Sequence, residues 1–216
     1  MKILGLTGPK RSGKDTVCSM LGSRVHRIGL ADFLKDTCSA AFELPRRYFD
    51  DDDKKEAAFG HPIILTRNKI GNIRDVYSQA VPGFWERAIK AEHIISGKLM
   101  YNPRHVLQVV GTDFLRLFQE DIHLQAAKTK LQQDKLNVIT DCRFENEIQF
   151  VKDLGGVTAY VWHPAAEQMA LNSPHISEAG IPQLQFKCDW KIPNSGELHE
   201  LEIFVKAFVE QSKIFE

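Results

Sequence analysis

The stretch GLTGPKRSGKDTV, residues Gly5 to Val17, sets Gly8, Gly13 and Lys14 at the spacing of a phosphate-binding loop, G-x-x-x-x-G-K. In such a loop successive backbone N–H groups point inward at phosphate oxygens, and glycines let them approach. The following helix presents the positive end of its dipole, and the lysine reaches the β- and γ-phosphates. The usual next residue is a serine or threonine whose hydroxyl ligates Mg2+; here it is Asp15. A carboxylate there repels phosphate unless a cation lies between them. It therefore fits a site that holds Mg2+, bound directly or through water, with further positive charge nearby, which Lys10 and Arg11 supply. Thr16 stays available for the α-phosphate. Asp15 also has a plainer reading, as a first-turn acid favoured by the helix dipole.

A second group with the same chemistry is DCRFENE, residues 141 to 147. Asp141 ends an apolar strand, LNVIT, where a second carboxylate commonly holds the water shell of the metal. Arg143 beside it could stabilise charge on a phosphoryl group in transfer. Read plainly, Asp141 is a helix cap followed by the helix-start acids Glu145 and Glu147, which leaves the arginine unexplained.

The elements that must position these groups follow from periodicity. Ile3 to Thr7 is an apolar strand, and from Lys14 a helix carries Val17, Met20 and Leu21. Val25 to Ala31 alternates as a second strand, and Asp32 can cap a helix through Phe33, Leu34, Thr37, Ala40 and Ala41. From about residue 44 to 100 prolines and glycines break the pattern, which reads as an irregular or helical substrate-binding insertion, with the acidic run Asp50 to Lys54 a solvated loop. Pro103 starts a helix through Val110, with Gly111 to Phe118 after it and a further helix from Ile122 to Gln133. Leu136 to Thr140 is a strand, 145 to 154 a helix stopped by Gly155 and Gly156, and Val157 to Trp162 a strand. Trp190 to Ile192 is a short strand, and Gly196 to Gln211 a closing amphipathic helix. Strands alternating with helices predict an α/β fold of three layers, a parallel sheet covered on both faces. At 216 residues, one domain, 1–216, carrying the insertion is expected.

Composition narrows the partners. Lys plus Arg and Asp plus Glu number 28 each, so there is no basic excess of the kind that coats nucleic acid, and any anion site must be local. Cys18, Cys38, Cys142 and Cys188 form no C-x-x-C pair and read as reduced thiols. No apolar run approaches the ~20 residues that span a bilayer, and no leader precedes Met1, so a soluble, cytoplasmic protein without membrane partners is expected.

With these residues placed, the chain resembles the bacteriophage deoxynucleoside monophosphate kinases, a P-loop kinase family. The resemblance rests on GPKRSGKDT (8 to 16), LADFLKD (30 to 36), PRHVLQVVGTDFLR (103 to 116), DCRFENE (141 to 147), PHISEAGIP (174 to 182) and IPNSGELHEL (192 to 201), and extends over nearly the whole chain. It implies a P-loop kinase-type fold, ATP as phosphoryl donor with Mg2+, and a deoxynucleoside monophosphate as acceptor. Gly8, Lys10, Gly13, Lys14, Asp15 and Thr16 would contact ATP, with Arg143 and Glu147 on the same side, and Asp15 and Asp141 toward the metal. Lys14, Asp15, Arg11 and Arg143 would carry catalysis. Arg11, Lys35, Arg104, Gly111, Thr112 and Asp113 would face the acceptor. Relatives also suggest a homodimer, placed in the host cytoplasm if the chain is phage-encoded. His123 stands where relatives carry a tryptophan, and His175 and Glu178 match the pattern without an assigned role. The first motif is shared with animal-type phosphomevalonate kinases, so a phosphomevalonate or dephospho-coenzyme A kinase is the alternative enzyme. The alternative from another class is a nucleotide switch, whose N-K-x-D signature NKIG at 68 to 71 lacks the aspartate. Which bases are accepted is not written in any motif.

Overall fold

In chain order the strands are β1 (Lys2–Thr7), β2 (Val25–Ile28), β3 (Ile63–Ile64), β4 (Leu99–Met100), β5 (Leu136–Cys142), β6 (Val157–Trp162) and β7 (Trp190–Pro193). The principal helices are α1 (Lys14–Met20), α2 (Asp32–Phe42), α3 (Arg47–Asp50), α4 (Asp52–Glu56), α5 (Arg67–Ala80), α6 (Pro103–Gln108), α7 (Ile122–Lys128), α8 (Glu145–Asp153), α9 (Pro164–Leu171), α10 (Ile176–Ala179) and α11 (Leu198–Ser212). They belong to a computed structural model that describes residues 1–83, 95–173 and 176–216. The chain divides into two units, Met1–Leu30 with Lys130–Glu216, and Ala31–Thr129.

The first unit is built on a five-stranded sheet in the order β2-β5-β1-β6-β7, with every pairing parallel. Successive side chains of a strand face opposite ways, and the core follows that period. Leu4 and Leu6, Leu136 and Val138, Ala159 and Val161 share one face with Ile192, where they pack with Val17, Cys18 and Leu21 of α1 and Leu201, Val205 and Phe208 of α11. Helix α8 packs on β1 and β6 through buried Ile148 and Val151. Strands buried on both faces are mostly apolar, as β1 is from Ile3 to Leu6, with the buried Thr7 donating its hydroxyl to the Cys142 carbonyl oxygen. Because the strands are parallel, their C-terminal ends lie along one edge, the usual place for ligands in such sheets. The loop after β1, the Asp141–Arg143 segment and the residue after β7 all lie there.

The second unit has a separate core, with Leu34, Cys38 and Phe42 of α2, Ile70, Ile73 and Tyr77 of α5, and Val106, Val110 and Phe114 among its buried members. Strands β3 and β4 form a small antiparallel ribbon. No helix among the described residues is long and apolar enough to cross a membrane. All four cysteines are free, with Cys188 the least buried.

Several boundaries differ from the sequence reading. Asp32 does not cap α2: the cap position is Ala31, and the Asp32 carboxylate pairs with Arg46 instead. Strand β5 runs past Thr140 to Cys142 because its pairing with β1 continues to Thr7. The acidic run is helical at Asp52–Glu56, where Asp51 caps it by accepting from the N–H groups of Asp53 and Lys54. The helix that begins at Pro103 does not end at Val110, since Val109–Arg116 continues from α6 as a π-helix. Helix α7 ends at Lys128, short of Gln133. Within 44 to 100 the 14-residue α5 is regular, with Ile70, Ile73 and Tyr77 at helical spacing that polar neighbours obscure. Residues 84–94 of that region lie outside the described residues.

Candidate active site

Between β1 and α1 the backbone takes positive φ at Gly8 (144°), Arg11 (67°) and Gly13 (98°). Only glycine enters such regions without strain, and the turns they make gather backbone N–H groups into an anion-binding concavity. Space is as tight as the conformation. A Cβ on Gly8 would lie 2.4 Å from the Val161 carbonyl oxygen, and one on Gly13 would lie 2.3 Å from Asn194 Nδ2. Helix α1 then starts with no side chain capping it.

Lys14 folds back over this loop. Its Nζ donates to the carbonyl oxygens of Gly8 at 2.6 Å and Pro9 at 2.7 Å. Burial pushes the amine pKa down to about 8, and the Arg143 guanidinium adds to the shift, against the opposing pull of Glu178, Asp15 and Asp141. Two cations thus converge where carbonyls, not carboxylates, hold the lysine. Arg143 Nη1 pairs with Glu178 Oε1 at 2.5 Å. Its backbone is fixed by Glu147, whose nearly buried carboxylate accepts the N–H groups of Arg143 at 2.6 Å and Phe144 at 3.1 Å. Glu147, set on the ATP side by resemblance, therefore braces the turn that carries Arg143.

The two proposed metal acids are engaged by the protein. Asp15 is 72% exposed and pairs with Arg27 of β2 at 2.5 Å. Asp141 Oδ1 accepts the Leu30 N–H at 2.7 Å, tying the chain beyond β2 to the end of β5. Among the described residues no group of three or more His, Cys, Asp or Glu is arranged to hold a metal ion. The loop's donors and the Lys14–Arg143 charge fit a polyphosphate. A Mg2+ ion would find Asp15 and Asp141 as neighbours rather than a cage, and would need the phosphates as ligands. Lys10 and Thr16 are partly exposed on the loop and first turn, and Arg11 is exposed.

The other predicted residues lie in the second unit. Lys35 Nζ pairs with Asp50 at 3.2 Å and Asp32 at 3.7 Å, Arg104 Nε pairs with Glu56, and Asp113 pairs with Lys98 Nζ at 2.8 Å. Lys35 and Arg104 are near enough to Lys55, which pairs with Asp52 at 3.3 Å, that both lower its pKa after burial does. Gly111, Thr112 and Asp113 sit in the π-helix, a rare geometry often found at functional sites. His123 is buried beside it, with Nδ1 3.4 Å from Tyr77 Oη. Its pKa is pushed down to about 4 by burial and then by Arg116. It is an interior side chain and not an exposed stacking platform. His175 lies outside the described residues.

Sequence reasoning missed Arg27, Asn194 and Lys55. Arg27 sits in a strand whose alternation marks it as outward-facing, opposite an acid twelve residues earlier. Asn194 lies within a quoted motif, but only the sheet topology brings it to Gly13. Lys55 directly follows the acidic run, which hides it.

A family model described as deoxynucleotide monophosphate kinase matches residues 65–205. That is more than half of the chain, so the chain belongs to this family. The match begins downstream of the phosphate loop, which makes the loop geometry a separate observation. The chain is also 26% identical over 202 residues to a protein of Acanthamoeba polyphaga mimivirus named "Putative deoxynucleotide monophosphate kinase", covering 86% of this chain and 84% of that one. Among solved structures it aligns with the crystal structure of TT1252 from Thermus thermophilus at 20% identity and a TM-score of 0.42, covering 97% of each chain. The chain is accordingly a kinase of nucleotide metabolism, a phosphotransferase acting on small molecules.

Proposed function

We propose that this member of the deoxynucleotide monophosphate kinase family transfers the γ-phosphoryl group of ATP to the 5′-phosphate of a deoxynucleoside monophosphate, giving the diphosphate and ADP. The observation that carries the donor side is the phosphate loop with its desolvated Lys14 beside Arg143. A buried amine whose pKa is depressed partly by a neighbouring cation gains most from an anion. In this reading Gly8, Lys10, Gly13, Lys14 and Thr16 hold the ATP phosphates, and Arg143 meets the group in transfer. Arg11, Lys35, Arg104 and the Gly111–Asp113 segment serve the acceptor, with Lys55 added to them.

Little covalent chemistry is asked of the side chains, because the acceptor oxygen is already an anionic nucleophile. Their work is to hold two anions in line and offset the repulsion between them. Bound Mg2+ would supply charge neutralisation between the β- and γ-phosphates, with Asp15 and Asp141 holding its water shell. The diphosphates formed would feed DNA precursor synthesis, in an infected cell if the chain is phage-encoded.

The test is ADP release from ATP with each of the four natural deoxynucleoside monophosphates and a modified cytidylate, alongside phosphomevalonate and dephospho-coenzyme A. Turnover with at least one deoxynucleotide and with neither of the last two is expected. Turnover confined to phosphomevalonate or dephospho-coenzyme A, or no acceptor-dependent turnover at all, would overturn the reading.

A further inference from the structure

Asn194 follows the last residue of β7, and its backbone N–H donates to the Trp162 carbonyl oxygen at 2.8 Å, which anchors it at the sheet edge. From there its side chain reaches the phosphate loop. Nδ2 donates to the Ser12 carbonyl oxygen at 2.8 Å, and the same nitrogen fills the space where a Gly13 Cβ would stand. Ser12 is fully buried and its hydroxyl finds no partner among the described residues. The residue is therefore held by its backbone, the N–H donating to the Pro9 carbonyl oxygen at 3.1 Å and the carbonyl accepting from Asn194.

The Ser12 C=O and the Gly13 N–H belong to one peptide unit, planar and trans, in which the two bonds point in opposite directions. Fixing the carbonyl on Asn194 therefore turns the Gly13 N–H the other way. The flanking peptides have their own bonds, Ser12 N–H to the Pro9 carbonyl oxygen at 3.1 Å and Val17 N–H to that of Gly13 at 2.9 Å, but the peptide between them is held by Asn194, and glycine adopts several φ/ψ regions at similar cost. We propose that Asn194 is a positioning residue for the phosphate loop: by holding the Ser12 carbonyl it aims the Gly13 amide at the donor phosphates before they arrive. This rests on the reading of residues 8–14 as the ATP site. Pre-aimed donors favour binding because the ligand does not have to order them.

The experiment compares wild type, Asn194→Leu, Asn194→Ser and Lys14→Ala by ATP and ADP affinity in calorimetry, by KM for ATP and for the acceptor, and by melting temperature. Leucine keeps the bulk and removes the donor; serine loses bulk and keeps a hydroxyl donor. Asn194→Leu should weaken ATP and ADP about tenfold, the scale of one lost hydrogen bond, with the acceptor KM and the melting temperature little changed. Asn194→Ser should recover part of the affinity. The proposal fails if Asn194→Leu binds ATP as wild type does. It fails equally if all parameters fall together with the melting temperature in both Asn194 variants, since that marks a packing role. Failure of the underlying site reading is recognised separately, by Lys14→Ala binding ATP with wild-type affinity.

Discussion

Lys14 in the first unit is held differently from the candidate-site cations of the second. In the first, Lys14 rests on two neutral carbonyls and shares its neighbourhood with Arg143. In the second, Arg46 meets Asp32, Asp36 and Asp50, while Lys35, Lys55, Lys98 and Arg104 each face a carboxylate. Carbonyls solvate a charge without cancelling it, so the loop keeps a surplus that an anion relieves. Lys35 and Arg104 in the second unit are already paired, so under the proposed function an acceptor phosphate at these residues exchanges places with an aspartate or glutamate. Exchange makes affinity depend on which ion pairs the ligand can replace, which is a means of discrimination more than of tight binding.

The largest test of this contrast is Lys14→Ala. With no carboxylate left stranded, the fold should melt within a few degrees of wild type while kcat/KM falls more than about a hundredfold, roughly 3 kcal/mol of lost transition-state stabilisation. Thermal melts beside steady-state rates check both halves, and a variant retaining a tenth of the activity would remove Lys14 from its role.

A comparable effect should appear in stability against acid pH, and it originates at His123 in the second unit. His123 titrates near 6.5 when unfolded and near 4 in the fold, so the native state binds fewer protons between these values. Its contribution is constant above about pH 6.5. As pH falls from there toward 4, stability drops by up to about 3 kcal/mol, and the loss levels off below pH 4. Denaturant melts at pH 7 and pH 4.5 measure it, and His123→Gln should flatten that part of the curve. A variant curve with the wild-type slope would place the buried proton elsewhere.

Arg104→Ala probes the exchange more gently. Losing one charge-assisted contact should raise the acceptor KM about tenfold, roughly 1.4 kcal/mol, and leave the KM for ATP near wild type. Equal changes in both constants would move Arg104 out of the acceptor site.

The smallest expected effect concerns Asp15. Its exposed pair with Arg27 is worth about 0 to 1 kcal/mol, so Arg27→Ala should hardly shift the melting temperature. If Asp15 holds the metal's water shell, Asp15→Ala should raise the Mg2+ concentration for half-maximal rate and Asp15→Ser should restore part of it. Superimposable Mg2+ titrations would leave Asp15 as the partner of Arg27 only.

The same contrast explains what was legible in the sequence. The loop between β1 and α1 is a backbone structure, and backbone structures leave local signatures: glycines at fixed spacing, a strand before them, a helix after. The parallel sheet was readable for a similar reason, since strands buried on both faces are apolar runs. The second unit is built from pairs far apart in the chain, Lys35 with Asp50 and Arg104 with Glu56, and such pairs leave no spacing rule. Helix α5 went unread because its three buried residues are spread among polar ones, and the π-helix because its one extra residue per turn looks like a break at Gly111. The bracing of the Arg143 turn by Glu147 is not legible either, because a carboxylate that braces a turn and one that meets a ligand are the same letter.

The strand order carries a consequence for how the chain acquires its shape. Strands β1 and β2 both pair with β5 and not with each other. β5 begins at Leu136, after the whole of Ala31–Thr129. During synthesis the first two strands therefore emerge before their shared partner, which follows more than a hundred residues later, after the contiguous unit between them has been synthesised. Closing a long loop is slow and exposes unpaired edges in the meantime. The strand order thus predicts an assembly in which the sheet around the phosphate loop, written at the start of the chain, is completed only when the later strands have been made.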